Sequence, residues 1–109
     1  MAGITWACAL HWQARAIPED DFTVFVQLLY PSGRLVAQSD CQPADGRSPT
    51  SSWEPGDKTI DEHLLALDKT LPPGRYTLIA GMYHLPTLKR LPLEDGQDHV
   101  MLTNVDIVQ

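Results

Sequence analysis

The run Leu71-Pro72-Pro73-Gly74-Arg75-Tyr76-Thr77-Leu78-Ile79-Ala80-Gly81-Met82-Tyr83 joins a proline-glycine corner directly to an alternating strand, and it narrows the fold more than any other stretch. Pro72 and Pro73 fix φ and remove two backbone donors, so a preceding strand must stop there, while Gly74 supplies the backbone freedom of a sharp reversal. Beyond the corner, Tyr76, Leu78, Ala80 and Met82 share one strand face, and Thr77, Ile79, Gly81 and Tyr83 share the other. A tyrosine two residues after such a turn is what a Greek-key sandwich uses as a tyrosine corner, with its ring in the core and its hydroxyl bonded back to the turn backbone. Pro73, Gly74 and Tyr76 are therefore expected to form a structural corner.

The rest of the chain alternates in the same way. Residues 4–13 place Ile4, Trp6, Cys8, Leu10 and Trp12 on one face of a first strand; residues 14–21, with Pro18 and three consecutive acids, form a loop. Residues 22–30 are apolar on both faces, as for a central strand covered on both sides. Pro31-Ser32-Gly33 has the composition of a hairpin turn, and residues 34–39 make the return strand. Residues 40–57 are too rich in Pro, Gly, Asp and Ser for regular structure, and a loop of that length in a compact domain is often functional. Residues 58–67 read as a strand, because a strand must enter the corner that follows. A short helix over residues 61–69 is the alternative that the leucine spacing allows. A turn at Pro86, a short return over residues 88–91, a polar loop over residues 93–99 and a last strand over residues 100–108 complete about seven strands. The expected fold is an all-β, immunoglobulin-like antiparallel Greek-key β-sandwich forming a single domain.

At 109 residues the chain is long enough for one hydrophobic core. A net charge of −6, with only Lys89 and Arg90 adjacent, argues against binding to nucleic acid or anionic membranes, which need clustered cations. There is no apolar run near the ~20 residues of a membrane-spanning helix, and the N-terminus lacks the basic head of a signal peptide. Cys8 and Cys41 do not make a disulfide framework: Cys8 reads as a small core residue and Cys41 as part of a polar loop, so both are expected as free thiols. The first strand begins so close to Met1 that the chain reads as a piece of a longer protein, which leaves the edge at residues 4–13 prone to self-association.

Trp12 after an alternating strand, Thr23-Val24-Phe25-Val26-Gln27-Leu28-Leu29, Gly33-Arg34-Leu35-Val36-Ala37-Gln38-Ser39-Asp40, Pro49-Thr50-Ser51-Ser52-Trp53-Glu54-Pro55-Gly56, the corner, Gly81-Met82-Tyr83 and Arg90-Leu91-Pro92 occur in a distinctive order. In that order the chain resembles the soluble C-terminal β-sandwich domain of bacterial multi-pass membrane glycosyltransferases of the dolichyl-phosphate-mannose-protein mannosyltransferase type. The resemblance implies an accessory domain without the transferase active site, attached to the remainder of a membrane-embedded parent chain. It further implies a place on the extracytoplasmic face of the membrane, beside lipid-linked sugar chemistry.

Trp53, with Glu54 and Asp57 after it and Asp40 before it, has the residue types of a sugar platform, since an indole face packs on a pyranose while carboxylates accept its hydroxyls. The other reading is an indole folded back as a plug over the end of the sandwich. The acid pairs Asp20-Asp21, Asp61-Glu62 and Glu94-Asp95 are expected as solvated charge, because adjacent strand residues point to opposite faces and do not make the geometry of glycoside hydrolysis. Residues 94–98 lack the spacing of a calcium loop. His11, His63, His84 and His99 are scattered as surface or rim histidines without metal spacing, and the serines, Ser39 among them, fall in turn-like contexts with no nucleophile elbow. Neither a metal, a cofactor nor a catalytic site is expected; the partner implied is a glycan or lipid-linked sugar, and the alternative is a structural or protein-interaction module.

Overall fold

The computed structural model describes residues 3–15, 18, 20–68, 70–93 and 95–107. Among them are seven strands: β1 (Gly3–Gln13), β2 (Thr23–Leu29), β3 (Leu35–Cys41), β4 (Lys58–Asp68), β5 (Gly74–His84), β6 (Lys89–Arg90) and β7 (Val100–Ile107), with one 3-10 turn at Thr50–Ser52. All pairings are antiparallel. β1 and β4 form one sheet with an unbroken register from Gly3 opposite Asp68 to Gln13 opposite Lys58. The other sheet runs β3-β2-β5, and β5 is flanked beyond by β7 along residues 74–80 and by β6 at residues 83–84. The fold is thus an all-β antiparallel sandwich, and residues 58–67 belong to a strand rather than a helix.

The core lies between the sheets. β2 is central in its sheet and sends Val24, Val26 and Leu28 inward, to meet Tyr76, Leu78 and Ala80 of β5 and Leu10, Leu65 and Leu67 of the small sheet. Burying each of these aliphatic side chains contributes about 2 kcal/mol before chain entropy is set against it. The β2–β3 hairpin closes through Gly33 N–H to Tyr30 O and Tyr30 N–H to Arg34 O, both 2.8 Å, with Gly33 at φ 90°, which a side chain would resist. At the corner, the Tyr76 ring is buried against Tyr30, with centroids 5.4 Å apart, and its hydroxyl donates to Pro72 O at 2.7 Å.

Two strands depart notably from the sequence expectation. β3 runs on to Cys41, so Asp40 and Cys41 are strand residues rather than the start of the long loop. β7 is not a simple alternation: a register shift between Leu78 and Ile79 of β5 lets Val100 pair with Ala80 and Val105 with Tyr76. Glu94 and Val108 lie outside the described residues. Among the described residues no helix is long and apolar enough to cross a membrane.

Replacing Tyr76 with Phe keeps the ring and removes only the bond to Pro72. Chemical denaturation is expected to show a loss of about 1 kcal/mol with an unchanged denaturant slope.

Candidate functional site

Two polar clusters stand out, one inside the sandwich and one on the outer face of the large sheet. The inner one centres on Asp61, which is fully buried, together with His63, 2% exposed. Asp61 and His63 are two residues apart on β4 and therefore share the face that also carries Leu65 and Leu67 into the core. Asp61 Oδ2 accepts from His63 Nε2 at 2.7 Å and from Trp12 Nε1 at 3.1 Å, while Oδ1 accepts the Ala44 N–H at 3.0 Å. His63 Nδ1 lies 2.9 Å from Ser39 Oγ on β3. Asp61 Oδ2 and His63 Nε2 share one hydrogen bond, and His63 Nδ1 and the Ser39 hydroxyl share the other.

This overturns two sequence expectations: Asp61 is not solvated charge and His63 is not a rim histidine, while Ser39 lies on β3, within the return strand expected over residues 34–39. The Ser-His-Asp order of contacts has the polarity of a catalytic relay. The His63 ring, however, has both nitrogens engaged and is sealed from solvent, so the Nδ1–Oγ bond offers an incoming acyl group little approach. What the cluster does in this geometry is tie together β1, β4, β3 and the turn at Ala44 and Asp45, two consecutive left-handed residues at φ 54° and 57°. The thiols nearby are held protonated: burial, then the negative Asp61, pushes Cys8 up, and burial, then Asp45, pushes Cys41 up. Both are free, and Cys41 Sγ lies 3.2 Å from Asp45 Oδ1. Among the described residues no group of three His, Cys, Asp or Glu side chains is arranged to hold a metal ion.

The residues expected to form a sugar platform divide: Trp53, Glu54 and Asp57 stay in the long loop, and Asp40 lies on β3. Trp53 is 6% exposed, and its Nε1 donates to the carbonyl and hydroxyl of Ser48 at 3.0 and 2.9 Å. The indole is a plug, because its one polar atom is satisfied inside the loop and its faces are covered by protein. Asp57 caps its own turn, Oδ2 accepting the Glu54 N–H at 3.0 Å, and Glu54 is exposed. The buried Thr50 fastens the loop to residues 20–22, donating to Asp20 O and accepting from Phe22 N, while Asp21 accepts the Ser51 N–H and is held below the usual carboxylate range by the Ser51 hydrogen bonds.

Asp40 lines a surface concavity. On the outer face of the large sheet, Phe25 of β2 pairs with Asp40 of β3 on one side and Gly81 of β5 on the other. Phe25 lies flat over Gly81 so closely that a Cβ there would come 2.6 Å from its Cζ and 3.1 Å from Asp98 O. The absence of a side chain at Gly81 is thus what lets the ring sit on the sheet. The Arg90 guanidinium covers Phe25 at 4.3 Å from the ring centroid and reaches Asp98 at 3.4 Å. Asp98 is itself held below the usual carboxylate range by the His99 hydrogen bond, with a smaller contribution from Arg90. The Tyr83 hydroxyl donates to Asp40 Oδ2 at 2.8 Å. Phe25, Gln27, Asp40, Tyr83, Leu88 and Arg90 line a shallow pocket of about 200 Å³. Leu88 stands 70% exposed at its rim on a left-handed backbone, φ 60°, held by its N–H to His84 O at 2.7 Å. A leucine at positive φ is strained, and such strain is concentrated at binding sites. Sequence reading missed Tyr83, Arg90 and Phe25. The signal was there in Gly81, a glycine inside a strand, which marks a close approach.

No family model, no curated protein and no solved structure matches this chain.

Two measurements check these clusters. Asp61→Ala strands three donors in the interior and is expected to cost about 3 kcal/mol or more, with Asp61→Asn recovering part of it, by denaturant titration. Burial, reinforced by the bond to Asp40, pushes the Tyr83 phenol up to about 12. Its contribution to stability is therefore complete below the ordinary tyrosine range near pH 10 and lost as pH rises through about 12. Tyrosinate absorbance in the native protein should show a group titrating near pH 12 that Tyr83→Phe removes.

Proposed function

We propose that the chain is a glycan-binding accessory domain, which uses the outer face of its large sheet rather than the long loop. The observation that carries this reading is the pocket at Asp40, Tyr83 and Arg90. With Oδ2 occupied by Tyr83, the outer oxygen of Asp40 is left to accept sugar hydroxyls, and Arg90, fixed on Phe25, is placed to donate. Exposed Leu88 and the edge of Tyr83 give the apolar wall against which the C–H face of a pyranose packs. A concavity of this size takes a single ring, so the expected affinity is modest, with a Kd around 1 mM or about −4 kcal/mol.

The ordered motifs support a more specific form of the same reading. In it the domain belongs to a membrane glycosyltransferase-like parent, lies on the extracytoplasmic side and holds or orients a glycan or lipid-linked sugar near the enzyme. That form is abandoned if the full gene product carries no transmembrane helices. A second reading, a protein-interaction module, is favoured by the exposed Val100, Met101 and Leu102 on β7.

Titration with neutral mono- and oligosaccharides, followed by amide chemical shifts, tests the glycan reading. Saturable shifts are expected to cluster on residues 25, 27, 38–40, 83 and 88–90, and to weaken at least tenfold in Asp40→Ala and in Arg90→Ala. Shifts confined to residues 45–57, or none across the panel, overturn it.

A further inference from the structure

The two sheets are open along the same side of the sandwich. β1 is paired along one edge by β4, and β7 along one edge by β5. Between them runs a groove of about 290 Å³ lined by Ala9, Leu10, Trp12, Ala80, Val100 and Leu102, which shows that β1 and β7 face each other across it. Its walls are mostly apolar. Trp6, Cys8 and Trp12, which point into the sandwich, are only partly buried, and Val100 and Leu102 at the opposite lip are 46% and 38% exposed.

β1 lacks the features by which natural edge strands avoid pairing with others, namely charge, proline and bulges. It is 11 residues long, carries no Asp, Glu, Lys, Arg or Pro, and keeps its register against β4 without a shift. The other peripheral strands carry such features: Asp40 on β3, Lys58 and Glu62 on β4, Lys89 and Arg90 on β6, and on β7 Asp106 together with the register shift in its pairing to β5.

We propose that this side is the interface of a symmetric dimer, in which β1 of one copy pairs antiparallel with β1 of a second copy. The uncharged edge at β1 admits a second copy despite the like net charge. The chain carries a net −6, so two copies repel wherever their charged faces meet, and the side at β1 is where they can approach without bringing like charges together. A partner chosen by charge complementarity would need charged residues in the groove, and its lining includes no Asp, Glu, Lys or Arg.

Shape points the same way. A two-fold axis through the strand centre at Cys8 sets Ala7 against the partner copy's Ala9 on the outer face and Trp6 against its Leu10 on the inner face, so small meets small and indole meets aliphatic. An 11-residue edge extends ~37 Å, and two sheets ~10 Å apart with their side chains present a side ~20 Å deep, an area of about 750 Å². A stable interface needs about 800 Å² from each partner. The small sheet then continues as four strands, β4-β1-β1-β4, and the partly exposed Trp6 and Trp12 of both copies are covered.

The test is sedimentation equilibrium across a wide concentration range, with amide hydrogen exchange at its two ends. The expected result is a mass moving from 12.1 kDa to twice that value, with protection gained along β1 as concentration rises. Ala7→Lys/Ala9→Lys places like charges across the axis on exposed positions and is expected to weaken association at least tenfold with an unchanged circular-dichroism spectrum. Leu102→Glu, on β7, provides a second variant that leaves the β1 strand intact and is expected to weaken it as well. A wild-type mass that stays at 12.1 kDa at millimolar concentration, dimerisation undiminished in both variants, or protection gained on β3 or β6 instead of β1 would each overturn the proposal.

Discussion

The buried carboxylate of Asp61 is the point at which the separate parts of this sandwich meet. A sandwich of two sheets is held chiefly by non-directional apolar contact, which leaves the sheets free to slide unless something sets their relative position. Here one side chain accepts hydrogen bonds from Trp12 on β1, His63 on β4 and Ala44 in the long loop, and His63 passes the connection on to Ser39 of the opposite sheet. In a low-dielectric interior these bonds are strong when complete and costly when broken. The described interior leaves no buried side-chain polar atom without a partner, so the network is satisfied throughout.

The long loop follows from that anchor. Breaker-rich sequence would leave residues 42–57 without internal ladders, yet the loop packs. Ala44 is bound to Asp61, Thr50 to residues 20–22, Trp53 to Ser48, and Gly56 to Ala14. Its tryptophan is buried, with its N–H bonded inside the loop. The proposed binding surface lies on the other side of the large sheet, where Gly81 admits the Phe25 ring and Phe25 in turn supports Arg90. Charged groups that rest on a rigid ladder are pre-oriented, so less conformational entropy is lost when a ligand binds.

The outer pocket and the open side at β1 are separate features of one architecture. The pocket is built by β2, β3, β5 and β6, whereas the groove lies between β1 and β7. Pairing at β1 would leave the pocket uncovered, so ligand binding and association do not compete for the same residues.

Much of the fold was legible in local signals. Pro72, Pro73 and Gly74 end one strand and start another through fixed and permissive φ; Gly33 closes a hairpin; the two apolar faces of residues 22–30 mark a central strand. These are properties of a residue and its near neighbours, and they act before any tertiary contact exists. The alternation in residues 58–67 even placed Asp61 and His63 on the same face as Leu65 and Leu67, but polarity argued for solvent, and only a partner from another strand could decide otherwise. Which polar side chains turn inward, and which of Asp40, Trp53, Glu54 and Asp57 come together, depends on strand register and on contacts 17 to 49 residues apart in the chain. Sequence by itself determined the strands and their corners, because backbone preference and two-residue periodicity are local. The tertiary structure alone decided the Asp61 anchor, the inward turn of Trp53 and the joining of Asp40 to Tyr83, because a side-chain hydrogen bond exists only once both of its ends have been brought together.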